Sequence, residues 1–377
     1  MIVSPCVRLQ IVIDTLKPDA KEKTMEKIDQ NKEAAHRPLA FRRTVVPKVV
    51  SLANSDVIKT EYFNPDYPLP LVVKPNLAGL NLCGWLRKSG DFVQANLSRY
   101  GALLFRGFDL GTQEDFANVL EATSLNLMNY MESATPRIAL GNGIYTSTEY
   151  PADQTIALHN ELSTSHCFPM RVLFYCIQPA EEGGETPIAD VRRVFNRIPA
   201  KIREWFIEKG WMLIRNYGNG CGPSWQQSFH TDEKSLVEEY CRSADTEFEW
   251  KGGDRLRTRQ VRPAVLRSRE TREMAWFNHV AFWHVSGLDP QVREAMTAIF
   301  KEEELPYNTY YGDGSRIDDA VAEELRAAYR AETIAFRWQK GDLLMLNNIF
   351  VAHGRNPFKG ARRVLVAMGE PSTDRGL

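Results

Sequence analysis

A histidine and a glutamate two positions apart, His159 and Glu161, are the residues of this chain with the most definite chemistry. On a β-strand, residues i and i+2 point to the same face, so both side chains can reach one metal ion. A second histidine, His353, follows an apolar segment far along the chain and precedes a glycine. Two histidines and one carboxylate are the ligand set of non-haem Fe(II) oxygenases. The spacing therefore predicts a three-residue metal site.

Each part of this pattern also has a simpler interpretation. A His-x-Glu triplet is common by chance, and the pair can lie on a surface or in a satisfied core. His353 can be a core histidine that is hydrogen-bonded to the backbone. Apolar residues precede both motifs, at 156–158 and 343–346, and predict buried strands that end beside a cavity.

Iron held by three protein ligands keeps open positions, two for a chelating 2-oxo acid and one for O₂. The far carboxylate of such an acid needs a cation and a hydroxyl donor. Arg362 and Arg363 offer the guanidinium groups, and Thr186 offers the hydroxyl. Adjacent strand residues point to opposite faces, so at most one of the two arginines enters the site and the other lies at a solvated edge.

Composition and charge exclude several classes of protein. The 377 residues carry a net charge of −1, which does not favour nucleic-acid binding. No apolar run approaches the roughly 18 residues of a membrane span, and residues 1–16 lack the pattern of a signal peptide. The six cysteines form no CxxC pair, so we expect reduced thiols and a cytoplasmic protein. The composition is compatible with either a monomer or a homo-oligomer.

Residues 17–44 are rich in charged side chains and predict an N-terminal extension over 1–60, followed by a main domain over 61–377. Recurring short apolar runs with turn residues between them predict a mainly β fold with helical inserts, a jelly roll or barrel. The predicted strands are 101–107, 171–177, 210–217, 275–285, 333–338, 342–347 and 363–368. The predicted helices are 80–100, 113–124, 191–209, 233–241, 290–304 and 318–332.

Six segments in this order resemble the taurine-dioxygenase-like (clavaminate-synthase-like) family of Fe(II)/2-oxoglutarate-dependent oxygenases. The resemblance covers approximately residues 90 to 370. The matching segments are 100–107, 144–150, 159–161, 183–190, 276–278 and 353–363.

The resemblance implies a double-stranded β-helix (jelly-roll) core with iron on His159, Glu161 and His353. It implies that Thr186 and Arg363 hold the distal carboxylate of 2-oxoglutarate. The glutamate ligand places the chain closest to the branch that hydroxylates amino acids, free or tethered to carrier proteins, in natural-product pathways. The same cofactors also support desaturation, epoxidation or cyclisation.

Two departures from the family narrow the expected chemistry. Members that act on taurine carry a further arginine four residues beyond the 2-oxoglutarate arginine, where this chain has Ala367. A sulfonate held in that way is therefore not expected. Glu161 is present where a halogenase would have a small residue, which disfavours halogenation.

The substrate, a small molecule, is expected to contact Arg137, Asn142, Ser163 and Asn278. Further candidates near the motifs are Tyr130, Thr146, Trp276, Phe277 and His279. The aromatic residues among them can equally belong to the core, and Asn278 can cap a turn.

Two other classes of function compete with the oxygenase. A zinc hydrolase would also use histidine and glutamate, but its common His-Glu-x-x-His signature is absent from the sequence. A jelly-roll binding protein without turnover is the second alternative.

Overall fold

The computed structural model describes residues 54–128, 138–147 and 150–373. Its strands, in chain order, are β1 Ile58–Asn64, β2 Tyr67–Pro75, β3 Ala102–Phe105, β4 Ala139–Gly141, β5 Ile144–Thr146, β6 Ile156–His159, β7 Phe168–Gln178, β8 Glu182–Gly183, β9 Ile188–Asp190, β10 Trp211–Tyr217, β11 Thr246–Lys251, β12 Arg255–Arg262, β13 Val265–Arg267, β14 Met274–Trp276, β15 Tyr307–Tyr311, β16 Thr333–Ile334, β17 Leu343–Asn347, β18 Val351–Arg355, β19 Phe358–Lys359 and β20 Arg363–Ser372.

The α-helices are α1 Asn54–Val57, α2 Leu82–Leu86, α3 Gly90–Tyr100, α4 Gln113–Thr123, α5 Val191–Arg197, α6 Ala200–Lys209, α7 Trp225–Phe229, α8 Lys234–Ser243, α9 Val280–Trp283, α10 Pro290–Ile299 and α11 Asp319–Glu332. Short 3₁₀ turns lie at Val285–Gly287 and Glu302–Glu304. Among these helices, none combines the length and the apolar character that a membrane crossing needs.

Two sheets form the frame of the site. The larger has eight strands in the order β1-β2-β3-β17-β7-β20-β5-β4, and the smaller has four in the order β16-β9-β18-β6. Every pair is antiparallel except β2 with β3.

Side chains alternate across the larger sheet and thereby build two cores. The even-numbered residues of its central strands pack against Ile188 and Val351 of the smaller sheet. These residues are Leu104, Val172, Phe174, Leu344 and Val366. The odd-numbered residues pack against helices α2 to α4, which contribute Leu97 and Phe116. These strand residues are Leu103, Phe105, Leu173, Tyr175 and Leu365. The period of two thus decides which strand residues face the space between the sheets.

A third sheet has the order β11-β12-β10-β15, with β10 hydrogen-bonded on both edges. Near one end of it a small separate core gathers Tyr217, Trp225, Val237, Cys241 and Leu256. This sheet supplies a wall of the larger cavity described below.

The fold is mixed α/β with several antiparallel sheets, which confirms in part the predicted combination of sheets and helical inserts. The double-stranded β-helix remains a prediction. The segment 275–285 is not one strand, because β14 ends at Trp276 and the Asn278 side chain accepts a hydrogen bond from the Val280 amide at the start of α9.

Two predicted helices are each divided in two. Pro199 holds Ile198 in an extended conformation, which ends α5 and lets α6 begin at Ala200. The segment 80–100 is likewise interrupted after Leu86. The division of the chain at residue 60 remains a prediction, although β1 already begins at Ile58.

Candidate metal centre

His159 and His353 meet because their strands are neighbours. They are directly paired in the antiparallel register of β6 and β18, and their ring centroids are 4.6 Å apart. Gly354 permits this approach, since a Cβ atom there would lie 2.5 Å from the Ile156 carbonyl oxygen. Strand pairing therefore positions two of the three predicted ligands.

Glu161 reaches the site by a different route from the one that the strand pattern predicts. Strand β6 ends at His159, and Glu161 lies in the following turn, where Leu162 has a φ of 54°. The Glu161 amide donates to Asn348 Oδ1 at 2.8 Å, and Asn348 Nδ2 donates back to the Glu161 carbonyl at 2.9 Å. The Asn160 side-chain Nδ2 also donates to the Asn348 backbone carbonyl, at 2.6 Å. Asn348, between β17 and β18, thus holds the backbone of the turn.

Asn348 was not predicted from the sequence. It is fully buried, and its amide group also donates to the Pro169 carbonyl at 2.7 Å. The sequence feature that could have indicated its role is the pair of asparagines directly after an apolar strand, because a buried side-chain amide must find several hydrogen-bond partners.

We expect Asn348→Ala to lower both stability and metal affinity. It removes a side chain that satisfies three backbone groups, and each buried group left unpaired costs about 1–3 kcal/mol. Loosening Glu161 should weaken metal binding by roughly 10- to 100-fold, as loss of a supporting residue does in other metal sites. Melting temperature with and without metal, and a metal titration, measure both effects.

Asn347→Ala is the matched control for Asn348→Ala. The Asn347 side chain accepts a hydrogen bond from the Ile349 amide at 3.2 Å, and within the described part of the chain it does not belong to the cluster of His159, Glu161 and His353. If both variants bind metal as the parent protein does, Asn348 has no role in positioning Glu161.

The donor atoms of the three residues fit a divalent cation. They all lie within 4.8 Å of one another, and His353 Nε2 is 3.5 Å from a Glu161 carboxylate oxygen. Ligands at about 2.0–2.2 Å from a metal are roughly 3 Å apart when adjacent, so a small contraction suffices. His159 Nδ1 lies 2.8 Å from the Ala157 carbonyl oxygen, which makes Nδ1 the donor and turns Nε2 to the metal.

Burial also favours a metal at this position. Glu161 is 3% exposed and His353 is 4% exposed. Removing a carboxylate from water costs several kcal/mol unless a cation or metal compensates it. Among the described residues, this is the group of histidines, cysteines and carboxylates that is close enough to hold a metal.

Of the two adjacent arginines, the structure brings Arg362 and not Arg363 to the metal. Arg363 is exposed and its guanidinium donates to Gln113 Oε1 at 3.1 Å, on the side of the larger sheet where Leu365 packs with the helices. Arg362 lies on the other side, with Val366. The expectation for Arg363 is therefore corrected, because alternation along the strand turns it away from the cavity.

Arg362 is held in place by two hydrogen bonds. Its Nε donates to the Gly184 carbonyl at 2.9 Å and its Nη1 to Ser147 Oγ at 3.2 Å. Burial, together with the nearby charge of Arg355, lowers the pKa of Arg362 to about 10. The guanidinium is therefore still protonated at neutral pH, in a partly desolvated setting where it binds an anion more strongly.

Thr186 shares a small cavity with Arg362 and both histidine ligands. Its side chain is 2% exposed, and its hydroxyl oxygen accepts a hydrogen bond from Trp338 Nε1 at 3.2 Å. The cavity is lined by Ser147, Ile156, His159, Phe174, Thr186, His353, Gly354, Arg355, Arg362 and Val366.

A larger cavity, of about 280 Å³, lies on another side of the metal ligands His159 and Glu161. Its remaining lining residues are mostly aromatic or small and come from β6, β10, α9, β15 and the loops beside these elements. They are Tyr150, Thr155, Ile156, Leu162, Thr164, Leu213, Arg215, Asn216, Tyr217, Cys221, Gly222, Pro223, His279, Phe282, Trp283, Pro306 and Tyr307.

Of the predicted substrate residues that the structure describes, Asn142, Ser163 and Asn278, none is among those lining this cavity. Asn142 is exposed at the turn between β4 and β5, with a φ of 52°. Asn278 is buried and donates to the Ala264 carbonyl at 2.8 Å, which is a structural role. Ser163 is buried and shares a hydrogen bond of 2.5 Å with His279 Nδ1. Arg137 lies outside the described residues.

The further substrate candidates differ in their positions relative to the larger cavity. His279 lines the larger cavity, whereas Trp276 and Phe277 are fully buried in the core. Burial and the neighbouring His159 hold the pKa of His279 well below its usual range, so its imidazole is neutral. Thr146 accepts a hydrogen bond from the Ile138 amide, and Tyr130 lies outside the described residues.

Most residues of the larger cavity were missed because they lie on strands and helices far from the motifs in sequence. Arg215, Trp283 and Tyr307 come together only when β10, α9 and β15 are assembled. The glycine-rich segment 218–222 was the one local signal of a loop beside a site.

Comparisons with known proteins agree with this geometry. Residues 66–368 match the family described as "Taurine catabolism dioxygenase TauD, TfdA family". The dapdiamide synthesis protein DdaC of Enterobacter agglomerans is 41% identical over 275 residues, which cover 73% of this chain and 84% of that protein. A clavaminate synthase-like protein of Arabidopsis thaliana is 28% identical over 324 residues, 80% of this chain and 93% of that protein.

A solved structure, PvcB of Pseudomonas aeruginosa, covers 85% of this chain and 93% of its own with a TM-score of 0.49 and 14% identity. The family match covers most of the chain and includes all three ligand positions. It overturns both the zinc hydrolase and the binding protein without turnover. The chain belongs to the TauD/TfdA family of clavaminate-synthase-like Fe(II)/2-oxoglutarate-dependent oxygenases.

Proposed function

We propose that this oxygenase hydroxylates an unactivated C–H bond of a small amino-acid-derived molecule in a natural-product pathway. One observation carries the proposal: His159 lines both cavities, so the metal centre lies where they meet. The small cavity offers Arg362 and Thr186 to a dicarboxylate co-substrate, and the larger one leaves room for a second molecule. A volume of about 280 Å³ suits a small substrate.

Bound Fe(II), with 2-oxoglutarate and O₂, supplies the oxidation of the C–H bond. His159, Glu161 and His353 would hold the iron on one side and leave its other side to the two cavities. The Arg362 guanidinium and the Thr186 hydroxyl would bind the distal carboxylate of 2-oxoglutarate. The aromatic lining of the larger cavity would exclude water and orient the substrate carbon.

The two facing sheets support a double-stranded β-helix as the core of the fold. The metal ligands come from the smaller sheet and from the turn after β6, while Val366 of the larger sheet closes the small cavity from the other side. An iron site between two facing antiparallel sheets is the arrangement that the family implies.

The position four residues beyond Arg362 is Val366, not Ala367, and it lines the small cavity. The position that corresponds to the additional arginine of members acting on taurine is therefore Val366 and not Ala367. An apolar side chain at this place still provides no cation for a sulfonate, which supports a substrate other than taurine.

The similarity to a dapdiamide synthesis protein supports an amino-acid-derived substrate. Such a substrate can be free or tethered to a carrier protein. Desaturation, epoxidation or cyclisation would use the same residues with a different substrate pose.

The proposal is tested by turnover with Fe(II) and 2-oxoglutarate across amino acids, their amides, and pantetheine thioesters of both. We expect succinate release with one group of compounds and a product heavier by one oxygen atom. A product lighter by two hydrogens identifies desaturation or cyclisation instead. If succinate release never exceeds the rate without substrate, the proposed substrate class is wrong.

A further inference from the structure

We infer that His279 holds the substrate through a hydrogen bond at its Nε2 atom, and that the substrate therefore carries a hydroxyl or amide group beside the carbon that is oxidised. The inference rests on the proposed function, since it names a substrate-contacting residue of the same site. His279 lies between β14 and α9, and it lines the larger cavity together with the metal ligands His159 and Glu161.

His279 lies next to the metal ligands without being one of them. Its ring centroid is 5.3 Å from that of His159. Within the described part of the chain, the donor atoms close enough to share a metal belong to His159, Glu161 and His353, and His279 is outside this cluster. A substrate group bound by His279 would therefore lie beside the metal and not on it.

The imidazole ring of His279 is held in one orientation. Its Nδ1 shares a hydrogen bond of 2.5 Å with Ser163 Oγ. Its ring packs edge-on against Phe282 and nearly parallel to Trp283, with centroid distances of 5.4 and 6.4 Å. Because Ser163 follows Glu161 by two residues, this hydrogen bond ties the ring to the turn that carries a metal ligand.

The backbone at His279 is fixed as well. The Asn278 side chain donates to the Ala264 carbonyl at 2.8 Å and accepts from the Val280 amide at 3.0 Å. The His279 carbonyl accepts from the Trp283 amide, also at 3.0 Å. A polar group that is positioned in this way before the substrate arrives loses little freedom on binding.

The second ring nitrogen of His279 remains for a molecule in the cavity. Within the described part of the chain, the hydrogen-bond partner of this ring is Ser163, at Nδ1. Nε2 can form one further hydrogen bond, as donor or as acceptor depending on the tautomer. A hydroxyl or an amide group both donates and accepts, so it can pair with Nε2 in either case.

A neighbouring histidine shows what a purely structural role looks like. His284 follows α9 and is 3% exposed. Its Nδ1 shares a hydrogen bond of 2.7 Å with Ser286 Oγ, and its Nε2 lies 3.0 Å from the Ile317 carbonyl oxygen. Both of its nitrogens are therefore used within the fold, and it is not among the residues lining the larger cavity.

Aromatic rings around His279 strengthen the proposed hydrogen bond. Phe282 lies 5.3 Å from the His159 ring and 4.9 Å from the Trp283 ring, measured between centroids, and both Phe282 and Trp283 line the same cavity. Apolar rings limit the water that would compete for Nε2. Since a few placed polar groups orient the ligand of an apolar pocket, this contact would decide which carbon faces the metal.

The test uses benzyl alcohol and ethylbenzene, which have nearly the same shape and differ by a hydroxyl in place of a methyl group. The protein is loaded with Mn(II) and saturated with 2-oxoglutarate, so that the co-substrate site is already filled. Broadening of the ring proton signals by Mn(II) reports binding beside the metal without any turnover. The measured quantity is the preference for benzyl alcohol, the ratio of the two dissociation constants.

Two variants assign this preference to one atom of the ring. The amide of His279→Asn takes the place of Nδ1 and keeps a partner for Ser163, whereas the longer His279→Gln places its amide near Nε2. We expect His279→Asn to lower the preference by about threefold to tenfold, the effect of one neutral hydrogen bond, and His279→Gln to keep most of it. An unchanged preference in His279→Asn, or an equal loss in both variants, overturns the inference.

A measurement on the parent protein needs no variant. With diamagnetic Zn(II) in place of Mn(II), the ¹⁵N signal of His279 Nε2 should shift when benzyl alcohol is added and stay in place with ethylbenzene. The signals of His284, whose nitrogens are used within the fold, are the internal control and should not move. Absence of a selective shift at Nε2 contradicts the contact.

This outcome is separable from failure of the proposed function. If Mn(II) or 2-oxoglutarate does not bind the parent protein, the metal and co-substrate assignments fail. If both bind and the preference does not depend on Nε2, only the role of His279 fails.

Discussion

Replacing His353 with alanine is expected to abolish substrate oxidation and to lower the affinity for Fe(II) by at least about a hundredfold. Loss of a supporting residue already costs roughly 10- to 100-fold, and loss of a ligand should cost more. The remaining pair, His159 and Glu161, would hold the metal from one strand end only. Metal content after anaerobic reconstitution and substrate-coupled succinate release measure the two effects.

His230→Asn is the matched control for this prediction. His230 is exposed and lies outside the metal cluster, and asparagine tolerates its φ of 53°. This variant should keep both metal and turnover. A His353→Ala protein that binds iron and turns over as the parent does would contradict the proposed ligand set.

Replacing Arg362 with methionine is expected to raise the 2-oxoglutarate concentration needed for half-maximal turnover by roughly thirtyfold or more. Truncating one partner of a buried, hydrogen-bonded charge pair costs about 2–5 kcal/mol. Metal binding should be almost unchanged, since Arg362 does not belong to the donor cluster. Direct titration of 2-oxoglutarate into the metal-loaded protein measures the effect without requiring the substrate.

Arg363→Met is the matched control, because the two arginines are adjacent and differ mainly in the direction of their side chains. Arg363 is exposed and bonded to Gln113, so its loss should leave the 2-oxoglutarate requirement unchanged. If Arg363→Met weakens 2-oxoglutarate binding and Arg362→Met does not, the assignment from the cavity lining is wrong.

The residue types of the metal site were predictable because they follow from local chemistry. A carboxylate two positions after a histidine, and a histidine beside a glycine after an apolar strand, indicate one metal whatever the rest of the fold. Most strands around the site were predicted as well, with boundaries shifted by a few residues. The longer helices were predicted too, but the breaks before Ala200 and after Leu86 were not, and neither were the short helices α1, α7 and α9.

The identity of the co-substrate arginine could not be decided from the sequence. Arg362 and Arg363 have the same chemistry, and only their register on the larger sheet separates them. A shift of one residue exchanges the two faces of a strand.

The sequence by itself determined the metal, the co-substrate and the reaction class, because these depend on which donor atoms are present. Only the tertiary structure decided which of the two arginines lines the cavity beside His159 and His353, and how Asn348 places Glu161. Those outcomes depend on strand register and on contacts between segments distant in sequence, where direction in space matters more than residue type.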